Sequence, residues 1–134
     1  DPDSIMIMTA ETNIETHPLS TKARLYSVPN VEDGLSWPHI LTCLFENDIY
    51  HVLIEGGASV FTTAVQSGIV DRYDVFIGSK LILEEQAPGP FKGGALSGLS
   101  EALSYTSVQS KQLGDNFWLS TRFYSSGDWQ SRLK

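Results

Sequence analysis

The sequence predicts an α/β fold in three layers, with a mostly parallel sheet and an antiparallel hairpin at its carboxyl end. Three observations predict it. Short continuous apolar runs, of the kind buried on both faces of a parallel sheet, alternate with segments of helical spacing. A hairpin signal then closes the chain, and strands alternating with helices bury their faces most simply as layers around one sheet. At 134 residues the chain has the length of one domain, expected to span residues 1–124 with a polar tail over 125–134.

Ser4-Ile-Met-Ile-Met-Thr9 is apolar throughout and reads as a buried strand, with Thr9 at its carboxyl end. His17-Pro18 breaks the chain, and Ala23–Val28 is a second short strand stopped by Pro29. Ser36 stands where a helix N-cap belongs. Pro38 follows in the first turn, and Ile40, Leu41, Leu44 and Phe45 form an apolar stripe that ends near Asn47. Val52-Leu53-Ile54 is a third strand, and Ala58–Ser67 a second helix that Gly68 stops. Tyr73–Ile77 is another strand. Residues 78–98 form a long loop with two prolines and five glycines, and length of that kind hints at function. Ser104–Leu113 and Phe117–Tyr124 pair across Gly114-Asp115-Asn116, with one apolar and one mixed face on the second arm.

Function concentrates in the step from Ile54 to the second helix. The first N–H groups of a helix have no backbone partner, and the helix dipole adds partial positive charge at that end. Gly56 and Gly57 present no side chain there, and Ser59, Thr62 and Thr63 bring hydroxyls. A nucleotide phosphate fits such a place. The alternative is a tight structural turn, since paired glycines between strand and helix are common in α/β proteins. Glu55 falls at the carboxyl edge of the sheet, where open α/β sheets bind ligands. A carboxylate repels phosphate, so Glu55 either faces a second, hydroxyl-rich ligand or caps a neighbouring loop.

Composition excludes several classes. A net charge of −7 argues against a nucleic-acid surface, and no apolar run reaches the ~18 residues of a membrane span. The single Cys43 rules out an internal disulfide, agrees with a cytoplasmic location, and lies on the apolar helix stripe as a small packing residue. His17, His39 and His51 lack ligand-like spacing, so no metal site is expected. Arg72 and Lys80 either meet ligand phosphate or are solvated surface cations.

The run "VLIEGGASVFTTAVQSGIVDRYDVFIGSKLI" resembles the reductase domain of the bifunctional riboflavin-biosynthesis deaminase/reductase enzymes, and "LGDNFWLSTR" is similar to that family's closing hairpin. The motifs reach from about Ser4 to Arg122. The resemblance implies a dihydrofolate-reductase-like fold. It implies NADPH-dependent reduction of 5-amino-6-(5-phosphoribosylamino)uracil to its ribitylamino product. By position, Gly57, Ala58, Ser59, Val60, Phe61, Thr62 and Thr63 would contact the NADPH phosphates. Thr9 would contact the adenosine end, and Glu55 would meet the substrate near its ribityl hydroxyls. No residue reads as a general acid.

Two departures stand out. The family's Ala-Pro-Lys-Leu-Leu-Gly is replaced by Ile77-Gly-Ser-Lys-Leu-Ile-Leu83 and then Glu84-Glu85. The family's upstream strand and loops, with most substrate contacts, and its zinc-bearing deaminase domain are expected ahead of Asp1, which makes this chain the carboxyl-terminal part of a longer polypeptide. A homodimer through the mixed hairpin face, with Trp118 and Tyr124, is the expected assembly. The rival readings are a non-catalytic nucleotide-binding or dimerisation fragment, and a reductase of the same fold acting on another heterocycle such as a pterin.

Overall fold

The computed structural model describes residues 4–32, 34–84, 86–93, 100, 102–105 and 107–123. Tyr124, the expected polar tail over 125–134 and part of the loop over 78–98 lie outside them. The chain forms two compact units, Asp1–Glu55 and Gly56–Lys134.

In the first unit β1 (Met6–Thr9) pairs in parallel with β2 (Arg24–Ser27), Met6 opposite Arg24 and Thr9 opposite Ser27. Bonds from Arg24 N to the Ile5 carbonyl and from Val28 N to the Thr9 carbonyl extend the ladder at both ends. Ala23 and Val28, the residues flanking β2, are its buried apolar positions. A two-residue ribbon follows, β3 (Asn30–Val31) against β4 (Gly34–Leu35). Gly34 turns it with φ +126°, a conformation that a side chain opposes.

Helix α1 (Trp37–Glu46) begins at Ser36 and carries Pro38 in its first turn, as the sequence predicts. Its carboxyl end is a Schellman turn: Ile49 N–H bonds to the Leu44 carbonyl and Asp48 N–H to the Phe45 carbonyl. Asp48, not glycine, takes the left-handed position with φ 60°. Its carboxylate accepts a 2.7 Å bond from the Tyr50 hydroxyl, and the Tyr50 ring meets Phe45 edge-on at 5.6 Å. Asn47 joins the helix to β2. Its amide N donates to the Cys43 carbonyl, while its oxygen accepts from Arg24 at 3.0 Å and from the Tyr26 hydroxyl at 2.7 Å. Burial, with Glu46 nearby and Arg24 opposing, pushes the Cys43 thiol up and away from its nucleophilic form.

The second unit opens with α2 (Ala58–Gln66), which Gly68 ends at φ +71° as expected. Strand β5 (Arg72–Ile77) pairs with β7 (Asn116–Arg122), and β7 pairs with β6 (Ser107–Leu113), all antiparallel in the order β5-β7-β6. The predicted hairpin is present. Leu113 faces Asn116 across a two-residue loop, and Gly114 at φ +59° supplies the first central position that a type II′ turn requires. Asp74 stands opposite Ser120 on one face of this sheet. It accepts bonds from Trp118 Nε1 at 3.1 Å and Arg72 Nε at 2.8 Å. Desolvation raises the Asp74 pKa, but hydrogen bonds from Ser120, Arg72 and Trp118, with the Arg72 charge, outweigh it and hold the carboxyl below its ordinary value.

Two expectations change. The α/β class stands, but the described strands form three small sheets, of which only β1–β2 is parallel. Residues 51–57, expected to bring a strand into Glu55, carry no strand or helix. The apolar run Val52-Leu53-Ile54 suits a strand, yet a strand exists only where a neighbour offers its backbone groups. No described strand pairs with it, and Leu53 is 79% exposed. Among the described residues no helix is long and apolar enough to cross a membrane.

Candidate functional site

Helix α2 begins without a side-chain cap. Its N-cap residue is Gly57, in an extended conformation, and the first helical bond runs from Phe61 N–H to the Gly57 carbonyl. The N–H groups of Ala58, Ser59 and Val60 therefore have no hydrogen-bond partner among the described residues. Gly57 and Ser59 are exposed, so this end opens to solvent. The dipole places about half a positive charge there. Three convergent donors with nothing bonded to them suit a phosphate group.

The two glycines differ in purpose. A Cβ on Gly57 would meet nothing within 4 Å, whereas one on Gly56 would come within 3.1 Å of Val60 Cβ and Cγ1. Gly56 thus answers to packing on the helix. Gly57 keeps the approach to the helix end bare.

Of the hydroxyls expected to add donors, two already give their protons to the helix itself. Thr62 Oγ1 donates to the Ala58 carbonyl at 2.8 Å and Thr63 Oγ1 to the Val60 carbonyl at 3.2 Å. Ser59, exposed in the first turn, has no hydrogen bond from its side chain among the described residues.

Thr9 and Glu55 belong to the first unit. Thr9 ends β1, and its Oγ1 accepts the Glu11 N–H at 3.1 Å in a local turn, which leaves the hydroxyl proton to donate elsewhere. Glu55 is exposed and makes no hydrogen bond or ion pair among the described residues, so it caps no described loop. Arg72, read as a possible phosphate partner, is held by Asp74 instead. Lys80 is exposed.

Sequence reasoning did not single out Phe91 or Lys92. Lys92 N–H donates to Thr62 Oγ1 at 2.7 Å, and the Phe91 ring lies 5.4 Å from that of Tyr73. The one signal that pointed their way was the length of the loop that contains them.

Comparison with known proteins agrees with the motif reading. Residues 1–119 match the family described as the RibD C-terminal domain. The chain is 31% identical over 80 residues to the riboflavin biosynthesis protein RibD of Actinobacillus pleuropneumoniae, covering 60% of this chain and 21% of that protein. It is 30% identical over 87 residues to RibD of Bacillus amyloliquefaciens, covering 65% and 24% respectively. A solved structure of Acinetobacter baumannii RibD is similar with a TM-score of 0.70 at 19% identity, covering 91% of this chain and 32% of that one. A second form gives 0.69. At that identity the likeness speaks for the fold alone, and the matched stretch is about a quarter of the curated relatives' length. With the family match running through nearly the whole chain, from β1 into β7, this chain belongs to the family of RibD C-terminal domains.

Proposed function

We propose that this chain is part of a reductase domain that uses NADPH to reduce 5-amino-6-(5-phosphoribosylamino)uracil to the ribitylamino product in riboflavin biosynthesis. The observation that carries this reading is the bare amino end of α2, with the unpaired N–H groups of Ala58, Ser59 and Val60 behind an uncapped Gly57, in a chain of this family. The residues present fit the group: donors without partners, an exposed Ser59 hydroxyl and no acidic side chain in the first turn.

NADPH supplies the hydride, and the chain supplies position and local field. The Gly57–Thr63 segment would carry the pyrophosphate site, with Ala58, Ser59 and Val60 holding the group by backbone donation and the Thr62 and Thr63 hydroxyls turned to the helix itself. Thr9 offers its hydroxyl proton to the adenosine end. Glu55, which carries no competing partner among the described residues, would accept hydrogen bonds from hydroxyls of the substrate's ribose and so position that sugar. The dihydrofolate-reductase-like three-layer arrangement belongs to the same proposal, supported by the likeness to Acinetobacter RibD. So do an accompanying deaminase domain, a homodimer and a cytoplasmic location.

The division of roles is open to test in the full-length protein. Glu55→Gln is expected to raise the substrate KM by about tenfold, the loss of roughly one charge-assisted hydrogen bond. The NADPH dissociation constant should stay unchanged. Equal loss of both contradicts the assignment.

A further inference from the structure

Thr62 joins two parts of the second unit that the sequence keeps 30 residues apart. A hydroxyl carries one proton and two lone pairs, so it can donate in one direction while it accepts from another. Thr62 does both. Its proton goes to the carbonyl of Ala58, the first residue of α2, at 2.8 Å, and its oxygen accepts the Lys92 N–H at 2.7 Å.

The residues on either side of Lys92 reinforce the tie. Gly93 lies beside the helix, where a Cβ on it would stand at ordinary van der Waals distance, 3.8 Å, from Thr62 Cγ2. Phe91 sets its ring on Tyr73 of β5, with centroids 5.4 Å apart and planes inclined by 45°. The three residues Phe91-Lys92-Gly93 thus run from the sheet to the helix, anchored by an aromatic contact at one end and a hydrogen bond at the other. Burial raises the Tyr73 pKa, which accords with a ring covered by its neighbours.

We infer that Phe91–Gly93 is a strap fixing the first turn of α2, and that Thr62 is a positioning residue for the phosphate-binding donors rather than a direct ligand. The inference rests on the cofactor reading above for its consequence, though not for the strap itself. A back-bonded Thr bends or loosens a helix when nothing restrains it. Here the Lys92 amide restrains it from outside. The turn that carries the Ala58, Ser59 and Val60 donors is then ordered before a ligand arrives, so binding costs less ordering entropy.

The test compares Thr62→Val, which keeps the shape and removes the hydroxyl, with Thr62→Ser, which keeps the hydroxyl. Hydrogen exchange of the Lys92 amide in the full-length protein without cofactor should accelerate in Thr62→Val and return to the native rate in Thr62→Ser. Titration with NADPH, followed by nicotinamide fluorescence, should then show about fivefold weaker binding for Thr62→Val and native binding for Thr62→Ser. The loss should appear in the KM for NADPH rather than in kcat. Phe91→Ala, which frees the other anchor and leaves Thr62 intact, should reproduce the effect. An unchanged Lys92 exchange rate in Thr62→Val overturns the strap whatever NADPH does. Faster exchange with unchanged NADPH affinity overturns the positioning role. A wild-type protein that binds no NADPH sinks the cofactor reading and the positioning role with it, while the amide measurement still decides the strap.

Discussion

The two helices of this chain are nearly equal in length and neither is capped by a side-chain hydrogen bond, yet their amino ends differ in residue content and burial. Helix α1 starts at Ser36, a buried residue whose Oγ lies 2.8 Å from His39 Nδ1, and Pro38 removes one backbone donor from its first turn. Helix α2 starts at Gly57, with no side chain, no proline and three N–H groups that have no partner among the described residues. The first end has a buried serine and one donor fewer, and the second has neither. Helix termini ordinarily satisfy their orphan donors. At the exposed end of α2 the donors are open to water or to a ligand, with no side chain competing for them.

The sharpest way to break the comparison is to close the second end as a cap would. Gly57→Asp is sterically free, since a Cβ there meets nothing within 4 Å. Aspartate at an N-cap outperforms glycine by a few tenths of a kcal/mol, so the melting temperature should hold or rise. NADPH affinity should fall by about 100-fold, because the carboxylate takes the donors and repels the phosphates, a loss of roughly 3 kcal/mol. Gly56→Ala should do the reverse. Its Cβ would press on Val60 at 3.1 Å, costing about 1–2 kcal/mol of stability in denaturant unfolding.

Ser36→Ala probes the α1 end. It removes the Ser36–His39 bond rather than a cap bond, and should cost about 1 kcal/mol of stability and leave NADPH titration unaltered. The smallest effect is expected at Asp74, away from both ends. Its pKa is depressed in the folded state, so its stabilisation is present above the unfolded value of about 4 and is lost as pH falls through the lower folded value. Asp74→Asn should flatten that acid limb in thermal melts by lowering stability slightly at neutral pH and leaving it nearly unchanged in acid, a small effect since Asp74 is partly exposed and its pair with Arg72 is largely a surface one.

Local chemistry was legible in the sequence and pairing was not. Gly68 stops α2 because the left-handed position after a helix favours glycine, and that needs no knowledge of the rest of the chain. Gly114 likewise announces its hairpin. Val52-Leu53-Ile54 has the composition of a strand, but strand formation depends on a partner that composition does not name. The β3–β4 ribbon escaped notice because two residues show no periodicity. At the site, the open end of α2 was readable from Gly57 and the helical spacing after it. The fate of the hydroxyls was not: whether Thr62 reaches a ligand or its own Ala58 carbonyl is settled by rotamer and by a loop 30 residues on. Asp74 and Trp118, 44 residues apart, meet only through strand register.

The most direct measurement is a nitrogen-resolved amide spectrum of the full-length protein titrated with NADPH. The account predicts saturable shifts at the amides of Ala58, Ser59 and Val60 and at Gly57, with the first turn of α1 from Trp37 to Leu41 unmoved. NADPH that binds and leaves the Ala58, Ser59 and Val60 amides where they were would contradict it.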